Sequence, residues 1–287
     1  MTIVIDALGL CVSKEDIHKE NVRKLTEKLG HKPKFVIINA SDDKGNERYI
    51  KGKIAEGTKV GLDVQCVKLE KDCTNIDVLN IIEKCNEENT PVILQLPTFS
   101  HLSTDYLISK IEPHVDADCF SDVMIGKSIL GSNVNVGPAT PKGVMELLDY
   151  HRVDIKGQVA LVIGKSNHVG KPLCNMLMSK GATVISANSK TKDLSQWLKQ
   201  ADIVISCVGR LNLIQDKDLK QDCVLIGVGF TYVEGKQILD FDLEEVKNSG
   251  RPSLVSNRIN CTGKATIYAL IDNVIELHNL NVNNMGN

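Results

Sequence analysis

Residues 158–172 read QVALVIGKSNHVGKP, and this stretch decides the fold. An uncharged apolar run ends at Ile163, a glycine turn follows, and a helical pattern starts near Val169 and Gly170. A strand, a glycine turn and a helix start together present backbone N–H groups and the positive end of a helix, which can bind a phosphate. Ser166 occupies the place of the second glycine in a GxGxxG motif, so a plain turn that needs glycine for tight packing is the alternative.

The second half of the chain continues in the same pattern. Further apolar strands are predicted near residues 182–186, 203–209 and 223–229, with helical patterns between them. Nearly continuous apolar strands joined by helices are typical of a parallel sheet that is covered on both faces. The second half is therefore predicted to be a Rossmann-type α/β domain.

The first half also alternates between strand and helix patterns, so the fold class is α/β with two domains. The predicted strands are 35–39, 64–68 and 92–97, and the predicted helices lie near 14–29, 46–57, 75–88 and 102–112. Met1–Asp6 is predicted to be a first strand or a helix start, and an amphipathic helix is predicted from Lys264 to about Leu280. Near residues 137–143 the chain turns into a helix with Pro141 close to its first turn, and the domain change is placed there.

Composition and charge exclude several classes of protein. A hydrophobic content of 42% with 24% charged residues is typical of a soluble globular protein, and a net charge of -2 without a basic block gives no reason to expect a nucleic acid or membrane partner. No apolar run approaches the roughly 18–20 residues that cross a bilayer. The nine cysteines form no CxxC pair and the seven histidines no HxH or HExxH motif, which favours reduced cytoplasmic thiols and no metal site.

The nucleotide preference depends on the end of the next strand. A site for NAD usually carries an acidic residue there, which binds the ribose 2′-OH. Here residues 187–191 read ANSKT, with Ser189 and Lys190 and no acidic residue before Asp193. Lys165 is expected on the opposite side of the same crevice. A cationic and hydroxylic lining suits a 2′-phosphate, so NADP is favoured, with NAD possible.

A tyrosine and a lysine four residues apart suggest proton chemistry in the first half. Helical spacing puts Tyr49 and Lys53 on one helix face. Burial disfavours an ammonium group, so a buried lysine can move protons near neutral pH. An ordinary surface helix is the alternative for such a pair.

These motifs together resemble the methylenetetrahydrofolate dehydrogenase/cyclohydrolase family. The YxxxK pair, the QLP strand end at 95–97, the PxxDxD segment from 113 to 118 and the GxSxxVGxP turn follow the family order, and the resemblance runs from about residue 35 to 270. It implies NAD(P)-dependent oxidation of 5,10-methylenetetrahydrofolate, hydrolysis of the methenyl product to 10-formyltetrahydrofolate, and a cytoplasmic homodimer. It also implies an active site in a cleft between a folate-binding catalytic domain (1–137 plus the C-terminal helix 266–287) and a nucleotide domain (138–265).

The resemblance also implies roles for particular residues. Lys53 matches the catalytic lysine, Tyr49 the tyrosine that packs on the folate, Gln95 the glutamine that orients the lysine, and Asp118 the aspartate that binds the pterin. Substrate contacts are further expected at Pro97 and Gly263, while Asp116 is interpreted as a turn or cap residue. The expected cofactor-binding residues are Gly164, Lys165, Ser166, Val169, Gly170, Ser189, Lys190, Val208 and Gly209.

Several positions depart from the family pattern. Asn46 replaces the usual serine three residues before the tyrosine, and Cys119 replaces the glycine after the pterin aspartate, which we expect to add a side chain close to the ligand. Residues 257–266 read NRINCTGKAT where the family has PVPGGVGPMT. Three hypotheses follow: a bifunctional enzyme, a divergent enzyme with one activity or another substrate, and a non-catalytic folate- or nucleotide-binding paralogue.

Overall fold

The computed structural model describes residues 1–131, 135–233 and 236–285. The strands are β1 (Ile3–Ile5), β2 (Lys34–Asn39), β3 (Asp63–Lys68), β4 (Val92–Leu94), β5 (Val159–Ile163), β6 (Thr183–Ala187), β7 (Ile203–Ser206), β8 (Val224–Gly227), β9 (Phe230–Val233), β10 (Lys236–Leu239) and β11 (Leu254–Ser256). The α-helices are α1 (Leu8–Leu29), α2 (Lys44–Lys59), α3 (Asn75–Glu87), α4 (Thr104–Ile108), α5 (Asp122–Leu130), α6 (Ala139–Tyr150), α7 (Gly170–Ser179), α8 (Leu194–Leu198), α9 (Leu243–Ser249) and α10 (Thr262–Met285).

The chain divides into two compact units, each built from two segments. One unit, here called the nucleotide unit, contains Met1–Cys11 and Thr140–Thr266; the other, the lysine unit, contains Val12–Ala139 and Ile267–Asn287. Residues 1–137 are predicted from the sequence to lie in one domain, and the structure differs at the N terminus. There β1 pairs in parallel with β11, so the first eleven residues belong to the nucleotide unit. The last two residues of the predicted C-terminal segment lie outside the described residues.

The nucleotide unit contains a parallel sheet of the predicted Rossmann type. Its strand order is β1-β11-β8-β7-β5-β6, and every pairing in it is parallel. The chain runs from β5 outwards to β6 and then returns to the other side of β5 at β7. Such a reversal of strand order creates a crevice at the carboxyl ends of the strands, where α/β proteins bind ligands. The antiparallel hairpin β9–β10, which the sequence analysis did not predict, follows β8.

The lysine unit contains a three-stranded parallel sheet in the order β3-β2-β4. Side chains of a strand alternate between its faces, and β2 uses both for packing. Phe35 and Ile37 belong to one buried cluster with residues of α1, α2 and α10, whereas Val36 and Ile38 belong to a second cluster with residues of α3 and α4. An apolar run without alternation is what a strand covered on both faces requires.

The sequence prediction located most elements and missed some ends. The strand predicted at 92–97 ends at Leu94, and the cis Leu96–Pro97 peptide lies in the irregular segment that follows. The helix predicted at 102–112 is reduced to α4, and the C-terminal helix is longer than predicted, from Thr262 to Met285. Across the described ranges, no helix combines the length and the apolar character needed to span a membrane.

Candidate active site

Helix α2 carries Lys53 into the interior of the lysine unit. The helix starts after Asp43, whose side chain accepts the backbone N–H of Asn46 at 2.9 Å and so caps the first turn. Lys53 lies two turns later and is only 5% exposed. Its Nζ is 6.0 Å from the centre of the Tyr49 ring, which is partly exposed on the same face of the helix. The predicted Tyr49–Lys53 pair is therefore formed.

The ammonium group of Lys53 donates a hydrogen bond to Gln95 Oε1 at 2.9 Å. Gln95 directly follows β4 and is 8% exposed, so both members of the pair are buried. Burial lowers the pKa of Lys53, while the negative charge of Asp118 acts in the opposite direction. A glutamine partner satisfies the amine without adding a negative charge, so it does not counteract the lowering of the Lys53 pKa by burial.

Asp118 lies on a turn that a second carboxylate holds in place. Asp116 is buried and accepts the backbone N–H of Ser121 at 2.8 Å, and its carbonyl accepts the N–H of Cys119 at 3.3 Å. Burial raises the pKa of Asp116 to about 6. Asp118 is partly exposed on this turn. The geometry agrees with the interpretation of Asp116 as a turn residue and leaves Asp118 as the carboxylate that a ligand could reach.

The residues that follow Gln95 in the sequence line a cavity. Its volume is about 440 Å³, and it is lined by Leu96, Pro97, Thr98, Phe99, Ser100, Leu102 and Thr104. Pro97, one of the predicted substrate contacts, is exposed at its wall. The lining is apolar with a few hydroxyl groups, which is the usual character of a small-molecule site.

The predicted phosphate-binding turn lies after β5 in the nucleotide unit. Gly164 has φ +123°, and a Cβ on Gly170 would lie 2.7 Å from the carbonyl carbon of Gly164 and closer still to its oxygen. Both positions therefore require glycine. The Ser166 hydroxyl accepts the backbone N–H groups of Val169 and Gly170, each at 3.2 Å. Ser166 thus stabilises the start of α7 as well as lining the turn.

Basic and hydroxyl side chains are exposed at the carboxyl ends of neighbouring strands. Lys165 follows β5, and Ser189 and Lys190 follow β6, with β5 and β6 joined there by the Gly164 N–H, which donates to Ala187 O at 2.9 Å. The remaining predicted residues, Val208 and Gly209, follow β7, the other neighbour of β5. The cofactor-binding residues expected from the sequence thus follow the carboxyl ends of three adjacent strands of one sheet.

Asp240 is a residue of this region that the sequence analysis missed. Its buried carboxylate accepts the N–H of Val208 at 3.2 Å, the N–H of Arg210 and the hydroxyl of Ser206. The sequence does carry a signal for this role, because Asp240 lies inside the apolar run 238–241. An aspartate in such a run is expected to be buried, and a buried aspartate almost always has hydrogen-bond partners.

Two family models match this chain. The catalytic-domain model of tetrahydrofolate dehydrogenase/cyclohydrolase matches residues 12–118, and the NAD(P)-binding-domain model of the same enzymes matches residues 138–282. The chain belongs to the tetrahydrofolate dehydrogenase/cyclohydrolase family. The resemblance noted from its motifs is thereby confirmed.

Relatives within the family cover nearly the whole chain. The bifunctional protein FolD of Lactobacillus acidophilus is 33% identical over 261 residues, which are 90% of this chain and 91% of the relative. The bifunctional FolD enzyme of Campylobacter jejuni has a TM-score of 0.92 at 30% identity, over 98% of this chain and 100% of that chain. The Trypanosoma brucei dehydrogenase-cyclohydrolase, solved with NADP cofactor and an inhibitor, has a TM-score of 0.92 at 26% identity, over 98% of each chain.

Cys119, one of the departures from the tetrahydrofolate dehydrogenase/cyclohydrolase pattern, lies in the core of the lysine unit. Cys119 was expected to add a side chain close to the ligand. It is instead fully buried in the cluster that includes Ala117 and Met124, and its backbone has φ +56°. The thiol fills the core, and the residue adopts the left-handed conformation that favours glycine.

The other large departure, residues 257–266, covers the five residues before α10 and the first residues of that helix. Cys261 is buried, and the hydroxyl of Thr262 donates to Gly227 O at 3.1 Å, so this segment is tied to the end of β8. Gly263, a predicted substrate contact, lies in the first turn of α10 within the nucleotide unit. Lys53, Tyr49, Gln95, Pro97 and Asp118 all belong to the lysine unit. Within the described residues, no group of three or more His, Cys, Asp or Glu side chains is placed to hold a metal ion.

Proposed function

We infer that this chain is a bifunctional enzyme that oxidises 5,10-methylenetetrahydrofolate to the methenyl form with NADP and hydrolyses that product to 10-formyltetrahydrofolate. Both domains of the family are matched, and the relatives at 33% and 30% identity carry bifunctional names. The observation that carries the proposal is the buried hydrogen bond between Lys53 and Gln95. A lysine with a lowered pKa and a neutral partner is suited to proton transfer near neutral pH.

Lys53 is the group that handles protons in the hydrolysis. Water adds to the methenyl carbon and loses one proton. The adduct then collapses to the formyl C=O on N10, the bond from that carbon to N5 of the folate breaks, and N5 takes up the second proton of the water. The neutral amine of Lys53 can take the proton from the attacking water, while Gln95 holds the amine in position. Tyr49 and Asp118, which are partly exposed nearby, would contact the ring system of the folate.

The nucleotide unit fits NADP. Gly164 and Gly170 bring the backbone close together at the turn before α7, which leaves backbone N–H groups and a helix N-terminus for a phosphate. Lys165 and Lys190 supply positive charge for a 2′-phosphate. NADP, when bound, accepts the hydride that leaves the methylene carbon of the substrate.

The test is absorbance-monitored turnover of the purified protein and of Lys53→Met. Wild-type protein should oxidise methylenetetrahydrofolate faster with NADP than with NAD and should hydrolyse methenyltetrahydrofolate. Lys53→Met should lose hydrolysis by a factor of about 100 or more. Lys51→Met is the matched control, since Lys51 is an exposed lysine of the same helix. Hydrolysis at the wild-type rate in Lys53→Met would refute the assigned role.

A second candidate, an enzyme with hydrolysis alone, is favoured by residues 257–266. The glycine-rich family segment is replaced there, and in this chain helix α10 already starts at Thr262. If this candidate is correct, the wild-type protein hydrolyses methenyltetrahydrofolate and shows no oxidation with either nucleotide. Introducing the family sequence at 257–266 should then raise NADP-dependent oxidation.

We also propose a cytoplasmic homodimer. Support comes from the family resemblance and from the cysteines, which are all free thiols. Light scattering coupled to size-exclusion chromatography should give twice the chain mass of 31.5 kDa. A monomer mass at micromolar concentration would contradict the homodimer.

A further inference from the structure

The side chain of Asn46 links the Lys53–Gln95 pair to the backbone. Asn46 is 5% exposed and lies in the first turn of α2. Its Nδ2 donates to Pro97 O at 3.0 Å, and its Oδ1 accepts from Gln95 Nε2 at 3.4 Å. Gln95 Nε2 also donates to Leu96 O at 3.0 Å. A continuous chain of hydrogen bonds therefore runs from Pro97 to Lys53.

The direction of this chain is fixed at its backbone end. A peptide carbonyl accepts hydrogen bonds and cannot donate one. The carbonyl of Pro97 therefore requires the NH₂ group of Asn46, which turns Asn46 Oδ1 towards Gln95. That oxygen and the carbonyl of Leu96 both require the NH₂ group of Gln95. Gln95 Oε1 is then the atom that faces Lys53.

The orientation of Gln95 decides what the lysine can do. When Oε1 faces the amine, Lys53 donates one of its N–H groups and the lone pair of the neutral amine stays available for a proton. If the amide were reversed, Gln95 Nε2–H would face the amine, donate to that lone pair and occupy it. Rotation of the Gln95 side-chain amide by half a turn would thus leave the lone pair of Lys53 occupied, and the amine could no longer act as a base.

We propose that Asn46 is a positioning residue that keeps Gln95 Oε1 on Lys53 and so preserves the lone pair of the amine for catalysis. The inference rests on the proposed hydrolysis by Lys53. It gives the asparagine, which replaces the usual serine of the family, a function of its own in this chain. Leu96 O supports the same orientation of Gln95, so removing Asn46 weakens the preference rather than abolishing it.

Charge near Lys53 provides a second, independent readout. Within the described residues, Tyr49 of the same helix lies beside the amine, and the charge of Asp118, on the turn after Asp116, acts on it. Asn46→Asp is isosteric, removes the donor to Pro97 and adds a carboxylate beside Gln95. A further negative charge favours the ammonium form. The acid limb of the pH profile of hydrolysis should therefore move to higher pH.

The experiment measures hydrolysis of methenyltetrahydrofolate against pH for Asn46→Ala, Asn46→Asp and Asn46→Ser. We expect Asn46→Ala to lower kcat by a factor of about 10 while KM changes by less than about twofold, since the variant misplaces a catalytic group without touching substrate. Asn46→Asp should raise the acid limb by about one pH unit. Asn46→Ser should restore part of the lost kcat, because a hydroxyl can still donate and accept.

Two controls isolate the mechanism. Asn86 bridges backbone groups at Lys110 and Glu112 in the same unit, so Asn86→Ala removes a comparable amide and should leave kcat and the acid limb unchanged. In a Gln95→Met background, Asn46→Ala should cause no further loss, because no amide remains to be oriented. A wild-type kcat and an unmoved acid limb in folded Asn46→Ala and Asn46→Asp would overturn the inference. Absence of hydrolysis in the wild-type protein would instead refute the proposed function.

Discussion

The buried carboxylate of Asp240 accepts the backbone N–H of Val208 at 3.2 Å. The same carboxylate accepts from the N–H of Arg210 and from the hydroxyl of Ser206, so three donors around the end of β7 share one side chain. The turn that they form contains Gly209, which has φ +75°. Asp240 therefore sets the shape of the turn in which two cofactor contacts are predicted, although it is thirty residues away in the sequence.

Asp240→Asn should destabilise the protein and weaken nucleotide binding. An asparagine has one acceptor oxygen for three donors, and its NH₂ group would face another donor. We expect the free energy of unfolding to fall by about 1–3 kcal/mol. NADP affinity, measured by fluorescence titration, should fall as the turn loosens. Asp242→Asn is the matched control, because asparagine caps a helix as well as aspartate does and should change stability by less than about 0.5 kcal/mol. Equal stability of the two variants would contradict the assigned role.

Gly170→Ala should impair NADP binding. The added methyl group would lie 2.7 Å from the carbonyl carbon of Gly164, so the phosphate-binding turn must open. We expect KM for NADP in the oxidation to rise by about tenfold or more, since misplacement of about 1 Å costs large factors. The matched control is Gly126→Ala in α5, where a Cβ would meet open space, and it should raise stability by about 1 kcal/mol. An unchanged KM in Gly170→Ala would argue against a nucleotide at this turn.

Cys119→Gly should be more stable than Cys119→Ala by about 1 kcal/mol, because alanine keeps the cost of the left-handed backbone and glycine does not. Urea denaturation of the two variants measures this difference, since both lack the buried sulfur. The same pair at Cys85, a buried position inside α3, should show the reverse order by about 1 kcal/mol, because glycine is unfavourable in a helix. The same order at both positions would contradict a backbone origin.

Asp116 should make the protein more stable at acidic pH. Burial raises its pKa to about 6 from an ordinary value of 3.8, so the folded protein binds the proton more tightly than the unfolded chain. The resulting stabilisation is fully present below about pH 4 and is lost as the pH rises through 6. The difference between the two pKa values corresponds to a loss of about 3 kcal/mol in the free energy of unfolding. Asp116→Asn keeps an acceptor for the Ser121 N–H and should flatten the curve between pH 4 and 6. An unchanged slope in this variant would contradict the prediction.

The longer parallel strands and the placement of Lys53 on its helix followed from the sequence, because both depend on local patterns. An uncharged apolar run such as 159–163 is typical either of a strand covered on both faces or of a buried helix. Five residues are too few for a helix, so the run predicts a strand. The Tyr49–Lys53 pair follows from helical spacing alone. Ser166 was interpreted as a missing glycine, whereas its hydroxyl accepts two N–H groups at the start of α7.

The contacts that the sequence did not reveal join residues far apart along the chain. Asn46 and Gln95 are 49 positions apart, and Asn46 was noted only as a departure from a serine. Strand β11 is three residues long, and its neighbour β1 lies at the other end of the sequence. A strand of three residues is too short to show a periodic pattern, and its partner lies far away in the sequence. Its pairing can therefore be seen only in the tertiary structure.

The pairing of β1 with β11 constrains the order in which the protein can fold on the ribosome. Ile3 emerges about 250 residues before Leu254, its partner, and translation at about 5–20 residues per second makes that interval about 12–50 seconds. Leu270 and Val274 of α10, which complete the core of the other unit, emerge later still. Neither unit can therefore complete its core before β11 and α10 have been synthesised, and the nascent strand β1 must remain unpaired with β11 until then.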